Sequence, residues 1–99
     1  MKLQIQSLHF TADKKLVNFI QTKLTKLGKY FDQILDVDVI MRLENSGQIK
    51  DKVVELKINI PGSVVFVKES NNKFENAMEN AYLNARRQLI KYKERRRAM

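Results

Sequence analysis

The chain has 99 residues, with 19 Lys or Arg against 11 Asp or Glu and a formal net charge of +8. This length suits one domain, and a hydrophobic fraction of 43% is enough for a modest core. The absence of cysteine excludes a disulfide framework and a thiolate metal site, and it suits a reducing cytoplasm. No signal peptide is expected, and no apolar run approaches the roughly 20 residues needed to cross a bilayer. A pI near 9.9 points to a nucleic acid or an anionic membrane surface as the partner.

The first predicted element is a strand over residues 2–10. Its apolar positions change phase between Ile5 and Leu8, which predicts a bulge or kink near Ser7. His9, the one histidine of the chain, falls on the polar side of this strand. It has no second ligand or acidic partner in the pattern, so it is interpreted as a surface residue.

A helix is predicted for residues 12–31, with Thr11 as its N-cap and Asp13 in its first turn. Apolar residues at helical spacing would bury one face, namely Leu16, Val17, Ile20, Leu24, Leu27 and Phe31. Along one edge of that face aromatic residues alternate with lysines: Phe19, Lys23, Lys26 and Tyr30, with Lys15 and Lys29 just behind. Such an edge could stack bases and neutralise phosphates. The preferred interpretation is that the aromatic rings widen the core and that the lysines contact a partner.

Three more strands are predicted over residues 35–43, 54–60 and 64–69, because apolar and polar residues alternate there. Turns are predicted at residues 45–47 and 61–62. Short loops between these strands imply an antiparallel meander. The first strand reaches the sheet through the helix, which favours a parallel, right-handed crossover.

A second helix is predicted over residues 73–99, with a cap supplied by residues 70–72. One side of it is apolar, formed by Phe74, Ala77, Met78, Ala81, Tyr82, Ala85, Leu89 and Tyr92. The other sides carry basic residues: Arg86, Arg87, Lys91, Lys93 and Arg97, with Arg95 and Arg96 near the edges of the apolar stripe. Leu83 and Ile90 lie off the stripe, where they could form a contact ridge or be isolated exposed side chains.

The predicted fold is therefore α+β, in the order βαβββα, with a four-stranded mixed sheet and two helices on one face. Residues 11–31 carry a charge of +4 and residues 73–99 carry +5, whereas residues 32–72 carry −2. The helices are basic and the strands are not, so a polyanion is expected to meet the helices.

The pattern indicates no catalytic chemistry. Asp36 and Asp38 share one strand face, but no histidine or third acid is in register with them, so they are interpreted as a solvated pair. There is no Gly-rich phosphate loop and no cysteine nucleophile. We expect no enzyme, no cofactor, no metal and no small-molecule ligand. Phe66 is the one aromatic residue on the last three strands, which disfavours base reading by the sheet.

Two motifs carry a family resemblance. Lys23–Asp32 has the pattern K-x-x-K-L-x-x-Y-F-D, followed by Ile34, and Arg87–Lys93 has the pattern R-Q-L-x-K-x-K. Through these motifs nearly the whole chain resembles the short ribosome hibernation-promoting factors, also called ribosome-associated inhibitor or sigma-54 modulation proteins. The resemblance implies a fold akin to double-stranded-RNA-binding domains. It also implies a single ribosome-binding domain over residues 1–99, with a basic tail at 94–99 that could be disordered.

The resemblance further implies a cytoplasmic protein that binds rRNA of the small ribosomal subunit between head and body. There it would overlap the mRNA channel and the tRNA sites and silence idle ribosomes in stationary phase. By motif position the rRNA contacts would be Lys23, Lys26, Arg87, Lys91 and Lys93. Charge and position on the helices add Lys29, Arg86 and Arg95.

Some points stay open at the level of sequence. Residues 69–77 lack the acidic D-M/L-Y-A-A-I-D pattern common in the family, so contacts there are not carried over. No second domain like that of the long members is expected, and the protein could promote ribosome dimers with a helper protein or silence single ribosomes. Two other functions fit the pattern: a general double-stranded-RNA-binding module, and a protein-interaction or transcription-modulator domain that uses the polar sheet face or the ridge of Leu83 and Ile90.

Overall fold

The computed structural model describes residues 1–46 and 49–97. Its elements are β1 (Lys2–Ser7), α1 (Lys14–Tyr30), β2 (Asp36–Ser46), β3 (Ile49–Ile60), β4 (Ser63–Asn71) and α2 (Phe74–Arg97). This order is the predicted βαβββα. None of the described helices is long and apolar enough to cross a membrane.

The four strands form one sheet in the order β1-β2-β3-β4. β1 runs parallel to β2, and the other two pairings are antiparallel, as predicted. The predicted turn at residues 61–62 is confirmed, and Gly62 adopts a left-handed φ of 78° there. A turn was also predicted at residues 45–47. Asn45 and Ser46 belong to β2 instead, and Gly47 lies outside the described residues.

The first strand is shorter than predicted. β1 ends at Ser7, where the kink was expected, although the Leu8 N–H still donates to the Met41 carbonyl at 2.9 Å. His9 is therefore not on a strand, which corrects the sequence interpretation; it is exposed and has a φ of 65°. A positive φ is uncommon for a residue with a side chain and ends the extended conformation at this point.

The start of α1 also differs from the prediction. Asp13 is the N-cap, and its carboxylate accepts from the Leu16 N–H at 2.8 Å. Thr11, which was expected to cap the helix, lies outside it and is exposed. Both residue types can cap, but only Asp13 stands three residues before the first buried leucine, where its oxygen reaches an unpaired N–H of the first turn.

The core lies between the sheet and the two helices. Except for Val17 and Tyr92, which are only partly buried, the residues of the predicted helix stripes are buried there. They pack against the inward side chains of β2, β3 and β4: Val37, Val39, Met41, Val54, Leu56, Ile58, Val65 and Val67. Leu35 and Leu43 belong to the same alternation but are largely exposed, because they lie at the two ends of the buried run of β2. The alternation predicts which residues share a face of the sheet, but a residue on that face is buried only where a helix covers it.

Candidate nucleic-acid interface

The two basic helices lie beside one another on the same face of the sheet. Lys23 of α1 and Glu79 of α2 form an ion pair at 2.5 Å across the line where the helices meet. Both helices are anchored from below by their buried stripes, and the Tyr92 hydroxyl also donates to the Pro61 carbonyl at 3.0 Å. The cations of both helices are therefore presented by a rigid support.

Four of the eight predicted RNA-binding residues lie over aromatic rings along this line. The Lys23 Nζ is 5.1 Å from the ring centroid of Tyr82 and 5.6 Å from that of Phe19, and the Lys26 Nζ is 5.9 Å from Tyr82. Such distances allow cation–π attraction, which restrains a flexible side chain without neutralising it.

The same arrangement continues toward the C-terminal end of α1. The Arg86 Cζ is 5.2 Å from the ring centroid of Tyr30, and the Lys93 Nζ is 5.4 Å from that of Phe31. Each pair joins α2 to the C-terminal end of α1, where Phe31 is the C-cap residue. We refer to the four cations that lie over rings, Lys23, Lys26, Arg86 and Lys93, as the seam cluster.

The other basic residues of α2 follow a separate line. Arg87, Lys91 and Arg95 repeat every four residues and are exposed. We call these three residues the outer row. Three residues before Arg87 and Lys91 stand Asn84 and Gln88, which bond to β4: Asn84 Nδ2 donates to Glu69 at 3.4 Å, and Gln88 Nε2 donates to the Phe66 carbonyl at 3.3 Å. The outer row therefore lies on the β4 side of α2.

Lys29 points to solvent from α1. It is exposed and lines a shallow depression with polar residues of the same helix and Lys26. The structure thus places Lys23, Lys26, Arg86 and Lys93 over rings along the line where the helices meet. Lys29 adjoins this cluster through Lys26, whereas the outer row lies apart on the other side of α2.

Two residues that shape this surface were not singled out from the sequence as functional. Tyr82 was assigned to the core, and it is buried, yet its ring also supports both Lys23 and Lys26. Glu79 partly neutralises Lys23. Both residues are far from Lys23 and Lys26 along the chain, so no local sequence pattern could have indicated these contacts. The interpretation that the aromatic rings widen the core is confirmed for Phe19, which is half-buried against it, but is wrong for Tyr30, which is 51% exposed.

The opposite face of the sheet has a different electrostatic character. Arg42 lies between Glu44 at 2.8 Å and Glu55 at 2.7 Å, and Lys68 is 3.6 Å from Glu44. The hydrogen bond from Arg42, with the nearby charge of Lys68, lowers the pKa of Glu44 below its ordinary value. Charges on this face neutralise one another, so it offers little attraction to a polyanion.

The acidic pair of β2 also lies on this opposite face of the sheet. Asp36 and Asp38 are half-buried, and the Asp36 carboxylate accepts from the side-chain amide of Asn59. Within the described part of the chain, no group of three or more His, Asp or Glu side chains could hold a metal ion.

Two curated relatives of similar length, and one that is about twice as long, are similar to this chain. The ribosome hibernation promoting factor of Pseudomonas putida is 28% identical over 99 residues, which cover all of this chain and 93% of that protein. The factor of the same name from Azotobacter vinelandii is 27% identical over 95 residues and is covered to 85%. The ribosome hibernation promotion factor of Deinococcus radiodurans is 26% identical over 93 residues, but this chain spans about half of its length (49%).

Solved structures show the same fold. A ribosomal subunit interface protein from Coxiella burnetii superposes with a TM-score of 0.86 at 19% identity, covering 95% of this chain and 99% of the other. The N-terminal domain of Protein Y from Thermus thermophilus gives a TM-score of 0.78 at 20% identity, covering 93% and 99%.

The family described as "Sigma 54 modulation protein / S30EA ribosomal protein" matches residues 3–97, which include both helices and every strand except the first residue of β1. This match, together with the agreement of fold, shows that the chain belongs to the Sigma 54 modulation protein / S30EA ribosomal protein family.

Proposed function

We propose that this protein is a ribosome hibernation factor that binds rRNA of the small ribosomal subunit and occupies the mRNA channel and the tRNA sites. It acts in the cytoplasm in stationary phase, as a binding protein and not as an enzyme. Family membership and the names of its relatives support the association with hibernating ribosomes. The observation that carries the assignment of the surface is that both basic helices lie side by side on one face, opposite a self-neutralised sheet face.

Binding combines electrostatic anchoring with steric occlusion. Each Lys or Arg that meets a phosphate releases a counterion and adds about 0.7–0.9 to the slope of log affinity against log salt. Arg87 can hold a phosphate through two parallel hydrogen bonds, which a lysine cannot do. The buried stripes keep both helices fixed on the sheet, so the domain fills a channel as a rigid body. No reading of base sequence is required for this action.

The test is a charge reversal on the outer row. The double variant Arg87→Glu with Lys91→Glu is expected to lose cosedimentation with small subunits while its thermal midpoint stays almost unchanged, because both side chains are exposed. Undiminished cosedimentation of this folded variant would remove the outer row from the binding surface.

A matched control is available on the opposite face. Lys57→Glu with Lys68→Glu makes the same change of net charge at two exposed residues of β3 and β4. This variant is expected to cosediment like the wild type. Equal loss in both variants would show that binding depends on total charge and not on the helix surface.

A general duplex-RNA binder predicts a different competition result. An excess of a plain RNA duplex at physiological salt should leave binding to small subunits largely intact if the protein recognises the ribosome. Displacement by an equal concentration of duplex would favour the general RNA-binding function.

A further inference from the structure

A depression lies where the C-terminal end of α1 meets α2. It has a volume of about 320 Å³ and is lined by Tyr30, Phe31, Arg86, Ile90, Lys93 and Glu94. We call it the terminal pocket. Its volume is at the lower end of the range of about 300–1,000 Å³ found for small-ligand sites, which is commensurate with one nucleotide and too small for a helical segment.

The apolar part of the terminal pocket is exposed to solvent. Tyr30 is 51% exposed and Ile90 is 41% exposed, although both lie beside a well-packed core. One exposed apolar side chain is ordinary, but here an aromatic ring and an aliphatic chain share one depression with two cations. This combination suits a ligand that is flat and apolar at one end and anionic at the other.

A cation–π pair lies in the pocket. The Arg86 guanidinium lies 5.2 Å from the Tyr30 ring centroid, and Arg86 is itself exposed. Unpaired nucleobases stack on aromatic rings and on guanidinium planes. A base can therefore stack on a member of the Tyr30–Arg86 pair. Bases inside a duplex cannot do so, because their faces are already covered by their neighbours.

The charged residues of the pocket would fix the orientation of a bound nucleotide. Lys93, whose Nζ is held 5.4 Å from the ring centroid of Phe31, supplies a cation for a phosphate, and Arg86 supplies a second. Glu94 repels a phosphate but accepts hydrogen bonds, as carboxylates do from the exocyclic amino group of cytosine. The phosphate is thus directed to Lys93 and the base edge to Glu94.

We infer that the terminal pocket receives a single unstacked nucleotide of RNA, with its base on the Tyr30–Arg86 pair and its phosphate at Lys93. This inference rests on the proposed function, since it names the form of RNA that one part of the surface holds. It also gives Ile90 a role as an apolar wall for the base, whereas Leu83, one of the two ridge residues, does not line the pocket.

The test uses a hexacytidylate that carries one central 2-aminopurine, whose fluorescence is quenched when it stacks. Wild-type protein is expected to quench this strand, and Tyr30→Leu is expected to abolish the quenching and to weaken binding roughly 5- to 160-fold, the range of one base–aromatic stack. Tyr30→Phe, which keeps the ring, should behave like the wild type. Binding of the same strand in a duplex should be equal for all three proteins.

A matched pair on α2 tests the apolar wall. Ile90→Asn and Leu83→Asn make the same chemical change at residues that are 41% and 46% exposed, but only the first lines the pocket. Only Ile90→Asn is expected to weaken binding of the hexamer. Glu94→Gln should reduce the preference for hexacytidylate over hexauridylate, because uracil lacks the exocyclic amino group.

Two results would overturn the inference. One is hexamer binding and quenching by a folded Tyr30→Leu variant that equal those of the wild type. The other is equal binding by Ile90→Asn and Leu83→Asn. If Tyr30→Leu has no effect while the Arg87→Glu/Lys91→Glu variant loses the small subunit, the pocket is excluded and the proposed function stands. If the double variant also binds normally, the proposed surface fails as well.

Discussion

Lys23 and Lys91 are both proposed RNA contacts, but they have different surroundings. Lys23 pairs with Glu79 at 2.5 Å and lies over two aromatic rings, so its ammonium group is already partly satisfied. Lys91 is exposed in the outer row. A phosphate gains less from a cation that must leave or share an existing partner.

We therefore predict unequal effects of removing the two charges. Lys91→Gln should reduce the slope of log affinity against log salt by about 0.7–0.9. Lys23→Gln should reduce it by less, because Glu79 already compensates that charge. The measurement is the affinity for small subunits, titrated at several KCl concentrations between about 50 and 200 mM at constant Mg²⁺. Equal reductions would mean that Lys23 exchanges Glu79 for a phosphate.

Replacing each of two glycines by alanine is expected to change the stability in opposite directions. Gly62 has a φ of 78° in the β3–β4 turn, so Gly62→Ala forces a side chain into a left-handed conformation and should cost about 1 kcal/mol. Gly28 lies inside α1, and an added Cβ meets only the flexible Met1 side chain, at 3.3 Å from its sulfur. Gly28→Ala should therefore stabilise the fold by up to about 1 kcal/mol. Urea denaturation measures both, and a destabilised Gly28→Ala variant would show that Met1 cannot yield.

At the scale of elements, α1 depends on its first turn. The Asp13 carboxylate satisfies the Leu16 N–H, and Thr11 takes no part in the helix. Asp13→Ala should lower the free energy of unfolding by about 1 kcal/mol, whereas Thr11→Ala should leave it nearly unchanged. Urea denaturation at neutral pH compares the two. The reverse order would place the start of the helix at the residue suggested by the sequence.

The element α2 presents cations in two directions. Arg86 and Lys93 are seven residues apart and lie over rings at the C-terminal end of α1, those of Tyr30 and of the C-cap Phe31. Arg87 and Lys91 each stand three residues after a residue that contacts β4. Neighbouring residues on a helix are separated by about 100°, so Arg86 and Arg87 cannot serve the same contact. If both groups meet RNA as proposed, α2 contacts it in two different directions.

At the scale of the whole molecule, the charge is divided between two faces. The helix face carries all eight proposed RNA contacts, and the open sheet face pairs its own charges. This division orients the protein toward a polyanion before contact, because the field of the basic face extends over about one Debye length, roughly 8–10 Å at physiological salt.

The total salt dependence tests how much of that face is used. Lys29 and the outer row alone would give a slope of about −3 to −4 for log affinity against log salt, and all eight residues would give about −6 to −7. For binding to small subunits we expect a slope between about −3 and −7. A slope well below about 3 in magnitude would show that most of these residues do not meet phosphates. The Lys57→Glu/Lys68→Glu variant should keep the wild-type slope.

Much of this architecture follows from the amino-acid sequence alone. The order of the elements, the antiparallel meander, the buried stripes and the concentration of charge in the helices agree with the structure. They could be predicted because periods of 2 and 3.6 residues are local properties of a strand and a helix. Of the eight proposed contacts, Lys29, Arg86 and Arg95 could be named from charge and position on a helix, which are local too, whereas the other five were named from the family resemblance of the two motifs.

Only the tertiary structure decided how these residues are grouped. The rotation of each helix about its own axis, set by packing on the sheet, brings Glu79 to Lys23 and Arg86 to Tyr30 and turns the outer row toward β4. The periodicity of a helix defines its buried face, but it does not define which flank meets the neighbouring helix. Contacts between residues more than 50 positions apart along the chain therefore required the folded structure, because nothing local records them.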